Sequence, residues 1–183
     1  MEILIIVLII AVVLGVILAS MYNKFIKSKL IVDEAFSTMD IYLKKRFDLI
    51  PNIFETTKGY AKHEKELFSQ FAKARELSYG SMNMQEKKDM DAALTKSVGS
   101  LLAISENYPE LKANENFMAL TNSLSEVEED IEKARSYYNG TVRAYNTLIS
   151  VFPNNLFAGL FKFKKAELFE IEEIQRENIK IEF

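Results

Sequence analysis

The chain opens with an uninterrupted apolar run: residues 3–21 read ILIIVLIIAVVLGVILASM and carry no charged side chain. At about 1.5 Å rise per residue, a helix over this run is roughly 28 Å long, close to the ~30 Å hydrocarbon thickness of a bilayer. Such a helix satisfies its backbone hydrogen bonds internally, as hydrocarbon requires. The run therefore predicts a transmembrane anchor over residues 1–23, with everything after Tyr22 held at a membrane.

A cleaved signal peptide is the alternative interpretation of the same run. Glu2 with no Lys or Arg before the run disfavours it, and so does a length beyond the about 7–15 apolar residues of signal peptides. Lys24, Lys27 and Lys29 follow the run closely, and the positive-inside rule places such a basic flank in the cytoplasm. We expect a single-pass protein of the bacterial cell membrane, with its N-terminus outside and its main domain in the cytoplasm.

The composition argues against several classes of function. The 183 residues include no cysteine and one histidine, His63, so disulfides, thiolate metal sites and cysteine nucleophiles are excluded. A di-iron helical bundle needs two Glu-x-x-His units, which one histidine cannot supply. A net charge of −3 provides no basic field for nucleic acid. We expect no catalytic residue, no metal, no cofactor and no nucleic-acid partner.

Apolar residues recur at helical spacing through the rest of the chain. The first seam comprises Val32, Phe36, Met39, Leu43, Phe47 and Ile50, with Lys44, Lys45 and Arg46 assigned to the polar face. Pro51 is expected to end or kink this helix near Leu49, since proline lacks a backbone N–H. Helical patterning resumes at Ile53 and Phe54 and runs through Leu67 to Leu77 as a second helix, followed by a loop at Tyr79–Ser81 and a third helix before Pro109.

The longest pattern runs from Phe117 to Ile149 at spacings of three and four residues, as in a coiled coil, with Asn114 as the predicted N-cap. Together these patterns predict an all-α fold, in which the transmembrane helix continues into an antiparallel up-and-down four-helix bundle. The predicted boundaries are the anchor over 1–23, the bundle over 24–153 and an aromatic, charged C-terminal segment over 154–183.

Several blocks of the sequence resemble the LemA family. They are LKKRFDLIPN at 43–52, KGYAKHE at 58–64, NYPELKANENF at 107–117 and the spaced set Ala134, Arg135, Tyr138, Asn139, Tyr145, Asn146, Phe152 and Pro153. The resemblance extends from the anchor to about Phe163 and implies a single-pass bacterial membrane protein with a cytoplasmic helical bundle. It implies no catalytic residue, because the family has no established biochemical activity. Relatives in magnetic bacteria are associated with building magnetosome membranes, which implies membrane organisation or scaffolding.

The block around Pro51 has two interpretations. In the first, Lys44 and Asp48 form a surface ion pair at i, i+4 beside a proline kink. In the second, Arg46 and Asn52 line a binding groove at that kink. The complete set of candidate interaction residues in the family blocks is Lys44, Arg46, Asp48, Pro51, Asn52, Gly59, Tyr60 and His63.

Arg135, Asn139 and Asn146 lie on one stripe that borders the long apolar seam. Such side chains are costly to bury unless they are paired, and Asp40 or Asp48 on the first helix are the candidate partners. Our hypothesis is a buried polar network that sets the register of the bundle. A role in a binding site is the alternative.

The C-terminal aromatic segment also has two interpretations. Its phenylalanines complete the core, or Phe157 and Phe161 with Lys162, Lys164 and Lys165 contact the anionic cytoplasmic leaflet. No residue set supplies a nucleophile, a base and an orienting group, so we expect a protein that is not an enzyme. The expected function is a membrane-tethered scaffold or adaptor that contacts the bilayer and binds protein partners or itself. The alternative is a membrane-binding or membrane-shaping module that uses this segment.

Overall fold

The computed structural model describes residues 1–60 and 78–170, and every regular element in those ranges is helical. Helix α1 spans Glu2–Lys58, a 3₁₀ helix spans Tyr79–Ser81, α2 spans Met84–Ser105, α3 spans Pro109–Lys112, α4 spans Glu115–Ser150 and α5 spans Asn154–Leu160. The predicted all-α fold is confirmed. The start of the predicted second helix, Ile53 and Phe54, belongs to α1, whereas its continuation through Leu67–Leu77, with His63, lies outside the described residues.

Side-chain caps begin the two long helices after α1. Asn83 forms a capping box with Glu86: its Oδ1 accepts from the Glu86 N–H at 3.0 Å, and Glu86 Oε2 accepts from the Asn83 N–H at 2.7 Å. The Oδ1 of Asn114 accepts from the Phe117 N–H at 3.0 Å, which confirms the predicted N-cap of α4.

Pro51 does not end the first helix, so of the two outcomes expected from the sequence, an end or a kink, the end near Leu49 is wrong. α1 continues through it to Lys58. Proline in a helix interior costs about 3 kcal/mol because one backbone hydrogen bond is lost. Ile50, Ile53 and Phe54 are buried on both sides of the proline, and burying such side chains is worth about 1.5–3 kcal/mol each. Packing therefore outweighs the local preference to stop.

The chain forms two compact units, and α1 and α4 each contribute to both. The first unit comprises Met1–Met39 and Ala134–Leu168. Ring contacts pair Phe36 of α1 with Tyr138 of α4, and Tyr22 of α1 with Phe161 at the end of α5, so α1 packs against both α4 and the region after it. The buried apolar residues of this unit are Phe25, Val32, Ala35, Met39, Ala134, Tyr138, Val142, Tyr145, Ile149 and Ala158.

The second unit comprises the described residues of Asp40–Lys133 together with Phe169. Its core combines the end of α1, α2, α3 and the first half of α4, with Ile50, Phe54, Leu94, Leu101, Leu111, Phe117, Leu124, Val127 and Ile131 buried. Buried positions on α4 follow the predicted seam from Phe117 to Ile149, where only Leu120 is half-buried.

The apolar run of α1 is exposed over almost its whole length. Its side chains are accessible throughout, except that Leu18 and Met21 are partly covered. By length and composition this helix can cross a membrane. So large an apolar surface is not stable in water and needs hydrocarbon or another protein to cover it.

Candidate functional sites

Arg46 lies at the centre of a buried charged cluster in the second unit. Its Nη1 contacts Asp91 Oδ1 at 2.6 Å, its Nη2 donates to Thr95 Oγ1 at 2.8 Å, and its Nε lies 2.7 Å from Glu128 Oε1. The contact with Glu128 has the distance of an ion pair but not the alignment of a hydrogen bond. The guanidinium thus joins three helices: α1, α2 and α4.

The placement of Arg46 corrects its assignment to the polar face. Met39, Leu43, Arg46 and Ile50 are all buried and follow one another at steps of four, three and four, so arginine occupies a core position while Phe47 is half-buried. Arg46 is 1% exposed and its charge is neutralised locally. Arginine stays charged in proteins, and buried charges persist only when paired. The cluster therefore holds helices together, and the Arg46 guanidinium contacts Asp91, Thr95 and Glu128 instead of facing solvent.

A second polar cluster forms around Asp40, which precedes Arg46 on α1. The Asp40 carboxylate accepts from the Tyr79 hydroxyl at 2.7 Å and pairs with Lys87 Nζ at 2.6 Å. Lys87 Nζ also lies 4.8 Å from the centroid of the Tyr79 ring, within the range of a cation–π contact. Burial, and then the hydrogen bond to Asp40, raises the pKa of Tyr79 well above its ordinary value of 10.0. The residues predicted to form a loop, Tyr79–Ser81, instead form a 3₁₀ turn with Tyr79 buried.

The carboxylates proposed as partners of Arg135 have other partners. Asp40 binds Tyr79 and Lys87, and Asp48 pairs with Lys44 at 2.5 Å in an exposed i, i+4 pair. The surface ion pair predicted at Lys44 and Asp48 is therefore confirmed. Arg135 and Asn139 are half-buried on α4.

The remaining family-block residues lie at the end of α1. Asn52 is exposed and Pro51 is half-buried, so neither is enclosed with Arg46. Gly59 follows the last residue of α1 in a turn, and the Tyr60 hydroxyl accepts from Asn114 Nδ2 at 3.1 Å. The N-cap residue of α4 thereby also ties the end of α1 to the start of α4. His63 lies outside the described residues.

Asn146 belongs to a set of contacts that fasten the C-terminal segment to α4 in the first unit. Its Nδ2 donates to the Ala166 carbonyl at 2.9 Å, and its Oδ1 accepts from the Ala166 N–H at 2.8 Å. Two buried tyrosines of α4 donate to further carbonyls: Tyr145 to Lys164 at 3.0 Å and Tyr138 to Glu167 at 2.8 Å. A segment without regular structure thus obtains backbone partners from side chains of a helix.

A sharp turn connects α5 to this segment. The Phe163 N–H donates to the Ala158 carbonyl at 2.9 Å and the Lys162 N–H donates to the Gly159 carbonyl at 3.2 Å, the two hydrogen bonds of a Schellman motif. Lys162 occupies the left-handed position of that motif with φ of 58°. Glycine is the usual residue there because a side chain is disfavoured at positive φ.

The C-terminal phenylalanines are packed to different extents. Phe161 and Phe163 pack their rings on Tyr22 at 5.1 and 5.8 Å, and Phe163 also packs on Phe25 at 5.3 Å. Phe157 and Phe161 are half-buried, so the two aromatics proposed to contact lipid are partly engaged in packing. The exposed apolar residues here are Val151, Phe152, Leu156 and Leu160, and Lys162, Lys164 and Lys165 are exposed as well.

Sequence reasoning missed Asp91, Thr95, Glu128, Tyr79 and Lys87. A signal for Asp91 was present, because it stands three residues before Leu94 and seven before Val98, on the apolar seam of α2. A charged residue on a seam calls for a buried partner. The Glu128 side chain is 37% exposed and contacts Arg46, and no local pattern of the sequence indicates that contact.

The described residues hold no group of three or more His, Cys, Asp or Glu side chains arranged to bind a metal ion. In both charged clusters of the described residues the acidic side chains lie against a basic one: Asp91 and Glu128 against Arg46, and Asp40 against Lys87. The geometry of both clusters is therefore that of helix-to-helix fastening.

Comparison with known proteins agrees with the resemblance seen in the sequence. The LemA family matches residues 35–183. Magnetosome proteins MamQ 1 and MamQ 2 of Paramagnetospirillum magneticum are each 25% identical, with 81% of this chain and 64% of theirs covered. This chain thus spans less than two thirds of the length of those relatives. Protein LemA of Metamycoplasma hominis is 22% identical, over 86% of this chain and 72% of its own length. The family match covers most of the chain, the apolar N-terminal helix fits membrane association, and the protein belongs to the LemA family.

Proposed function

We propose that this protein is a non-enzymatic scaffold or adaptor anchored in the cell membrane by residues 3–21, with its helical units on the cytoplasmic side. The observation that supports the proposal is that Arg46 contacts side chains of two other helices. The most enclosed charged side chain of the family block joins α1, α2 and α4 instead of facing a ligand. Asp40 and Tyr79 are engaged in the same way. The family-block chemistry thus serves rigidity, which is what a scaffold requires.

The relatives support a membrane setting for this proposal. The MamQ proteins are by name magnetosome proteins, and this chain shares 25% identity with two of them. Lys24, Lys27 and Lys29 directly after the apolar run favour the cytoplasmic orientation through the positive-inside rule. Exposed apolar side chains on α1 and α4, among them Leu30, Ile31 and Tyr137, offer surface for a protein partner or a second copy.

The orientation is tested by cysteine labelling, since the natural chain has no cysteine to interfere. Ser136→Cys places a thiol at an exposed position on α4, and Glu2→Cys places one before the apolar run. A membrane-impermeant maleimide added to intact cells is expected to label Glu2→Cys and to label Ser136→Cys only after permeabilisation. The reverse pattern would show that the helical units lie outside the cell.

The scaffold role is tested by lysine crosslinking in native membranes followed by mass spectrometry. Exposed lysines at the base of the helical units, such as Lys24 and Lys27, provide the reactive groups. We expect crosslinks to a small, reproducible set of proteins or to a second copy. Crosslinks that scale only with the abundance of neighbouring membrane proteins would contradict the proposal.

A further inference from the structure

We infer that the segment Val151–Lys165 is a second membrane contact, which lays the apolar face of α5 on the anionic lipid surface beside the exit of the transmembrane helix. The inference deepens the proposed function and rests on it, since it takes residues 3–21 to be inserted in lipid. It names the lipid surface itself as the ligand of an exposed patch in the first unit.

The first observation is an exposed apolar patch around α5. Leu156 and Leu160 stand at i, i+4 on one face and are 62% and 68% exposed, and Phe152 before the helix is 80% exposed. Val151, which precedes Phe152 in the sequence, is 45% exposed. Short helices do not leave several large apolar side chains in water without a reason, and patches of this kind mark interaction sites.

The second observation concerns the position of the patch along the apolar helix. Phe161 and Phe163 pack on Tyr22 and Phe25, and Tyr22 directly follows the last residue of the apolar run. Leu18, at i−4 from Tyr22, is one of the two partly covered residues of that run. The α5 region therefore lies beside the last turns of the spanning helix. A patch at this level faces the lipid boundary and not the aqueous interior.

The third observation is the charge distribution around the patch. Residues 133–166 contain no Asp or Glu, although the chain has 26 of them, and neither does the stretch 3–32 on α1. The same stretches carry exposed Lys24, Lys27 and Lys29 on α1 and Lys162, Lys164 and Lys165 after α5. The membrane end of the first unit is thus uniformly basic in a chain of net charge −3. Anionic headgroups are the complementary surface.

Lys162 adds an independent argument. It occupies a left-handed position with φ of 58°, where glycine would fold at lower energy. Strained residues persist where the side chain has a use. A lysine at this turn projects a cation beside the apolar patch, as an interfacial helix requires.

Tryptophan fluorescence in proteoliposomes tests the inference on the full chain, because the natural sequence has no tryptophan. Leu160→Trp reports on the patch, and Leu156→Trp is a second reporter on the same face. Ile17→Trp reports on the spanning helix. Tyr137→Trp is the matched control. Tyr137 is exposed on α4 next to Tyr138, whose ring packs on Phe36, and Phe36 lies about 21 Å along α1 from Tyr22. The vesicles contain dibrominated phosphatidylcholine and phosphatidylglycerol, whose bromines quench only tryptophan in contact with acyl chains.

The expected result is quenching at Ile17→Trp, Leu156→Trp and Leu160→Trp, and none at Tyr137→Trp. If Ile17→Trp is quenched while both patch reporters behave like Tyr137→Trp, the lipid contact is refuted and the anchor stands. The same holds if the patch emission is blue-shifted but unquenched, since protein then covers the patch. If Ile17→Trp is itself unquenched, the proposed anchor and the lipid contact both fail.

The lysines are tested separately in the Leu160→Trp background. Changing Lys162, Lys164 and Lys165 to Gln is expected to lower the ratio of quenched to unquenched emission, by roughly fivefold per lysine in anionic vesicles and little in zwitterionic ones. Changing the exposed Lys44 and Lys45 to Gln is the control and leaves the ratio unchanged. Equal effects in both kinds of vesicle would refute the electrostatic part of the inference.

Discussion

Removing Asp91 from the Arg46 cluster is expected to destabilise the second unit by about 3 kcal/mol. Asp91 Oδ1 lies 2.6 Å from Arg46 Nη1, and both side chains are 1% exposed. Unit charges at that distance attract by about 6 kcal/mol at an effective dielectric constant of 20. Desolvation of both groups offsets most of this attraction, so the pair itself adds little net stability.

Although the intact pair adds little net stability, removing only one of its two partners is costly. Asp91→Ala leaves the guanidinium of Arg46 buried, a change that typically costs 3–5 kcal/mol. Glu128 remains 2.7 Å from Nε and still provides some compensation, so we expect the lower end of that range. The higher helix propensity of alanine returns no more than about 0.6 kcal/mol.

The assay is urea unfolding of the full chain in mild detergent, followed by far-ultraviolet circular dichroism. Asp48→Ala is the matched control, because it removes aspartate from an ion pair with Lys44 whose side chains are 55% and 58% exposed. Loss of that exposed pair costs about 0.3–0.5 kcal/mol, and the gain in helix propensity cancels it. The control variant should therefore unfold at the same urea concentration as the natural protein.

A double-mutant cycle completes the test. Arg46→Met combined with Asp91→Leu replaces the pair by apolar side chains and should recover most of the stability lost in either single variant. We expect a coupling energy of at least about 2 kcal/mol. Two results would show that the reasoning about the buried cluster is wrong. One is that Asp91→Ala unfolds at the same urea concentration as Asp48→Ala. The other is that the losses of unfolding free energy from the substitutions at Arg46 and Asp91 simply add.

Three further predictions concern the turn, the C-terminal segment and pH. Lys162→Gly removes the strain at positive φ and should raise the unfolding free energy by about 1 kcal/mol, whereas Lys164→Gly, the control, should not. Asn146→Ala removes both hydrogen bonds to Ala166 and should cost about 2 kcal/mol, with faster hydrogen exchange of the Ala166 amide; unchanged exchange would contradict it. Because burial and Asp40 raise the pKa of Tyr79, the folded state keeps a proton that the unfolded state releases above pH 10.0. Stability is therefore expected to fall above that pH, by at most about 1.4 kcal/mol per pH unit for this group, and less steeply in Tyr79→Phe.

Local patterns in the sequence were sufficient for the parts of this protein that depend on neighbouring residues alone. An apolar run of bilayer length, apolar positions at helical spacing and the N-cap at Asn114 each follow from interactions within a few residues. The Lys44–Asp48 pair is of the same kind, since i, i+4 neighbours meet on any helix. The family blocks also identified the LemA family before any geometry was considered.

Residues far apart in the chain decided the rest. The residues next to Arg46 in the sequence, Lys45 and Phe47, do not indicate that it is buried. Its burial is stabilised by Asp91 and Glu128, which approach it only in the folded structure. Pro51 stays within α1 because the side chains around it are buried, and burial depends on tertiary packing that local propensity does not encode. Leu160 is exposed beside Phe161 and Phe163, which pack on Tyr22, a residue 139 and 141 positions away in the sequence. The sequence by itself determined the helices and the apolar run, whereas tertiary packing determined which polar groups are enclosed and which apolar ones are left exposed. The physical reason is that helix formation depends on near neighbours, while the free energy of burying a charge or exposing a leucine depends on whatever the fold brings beside it.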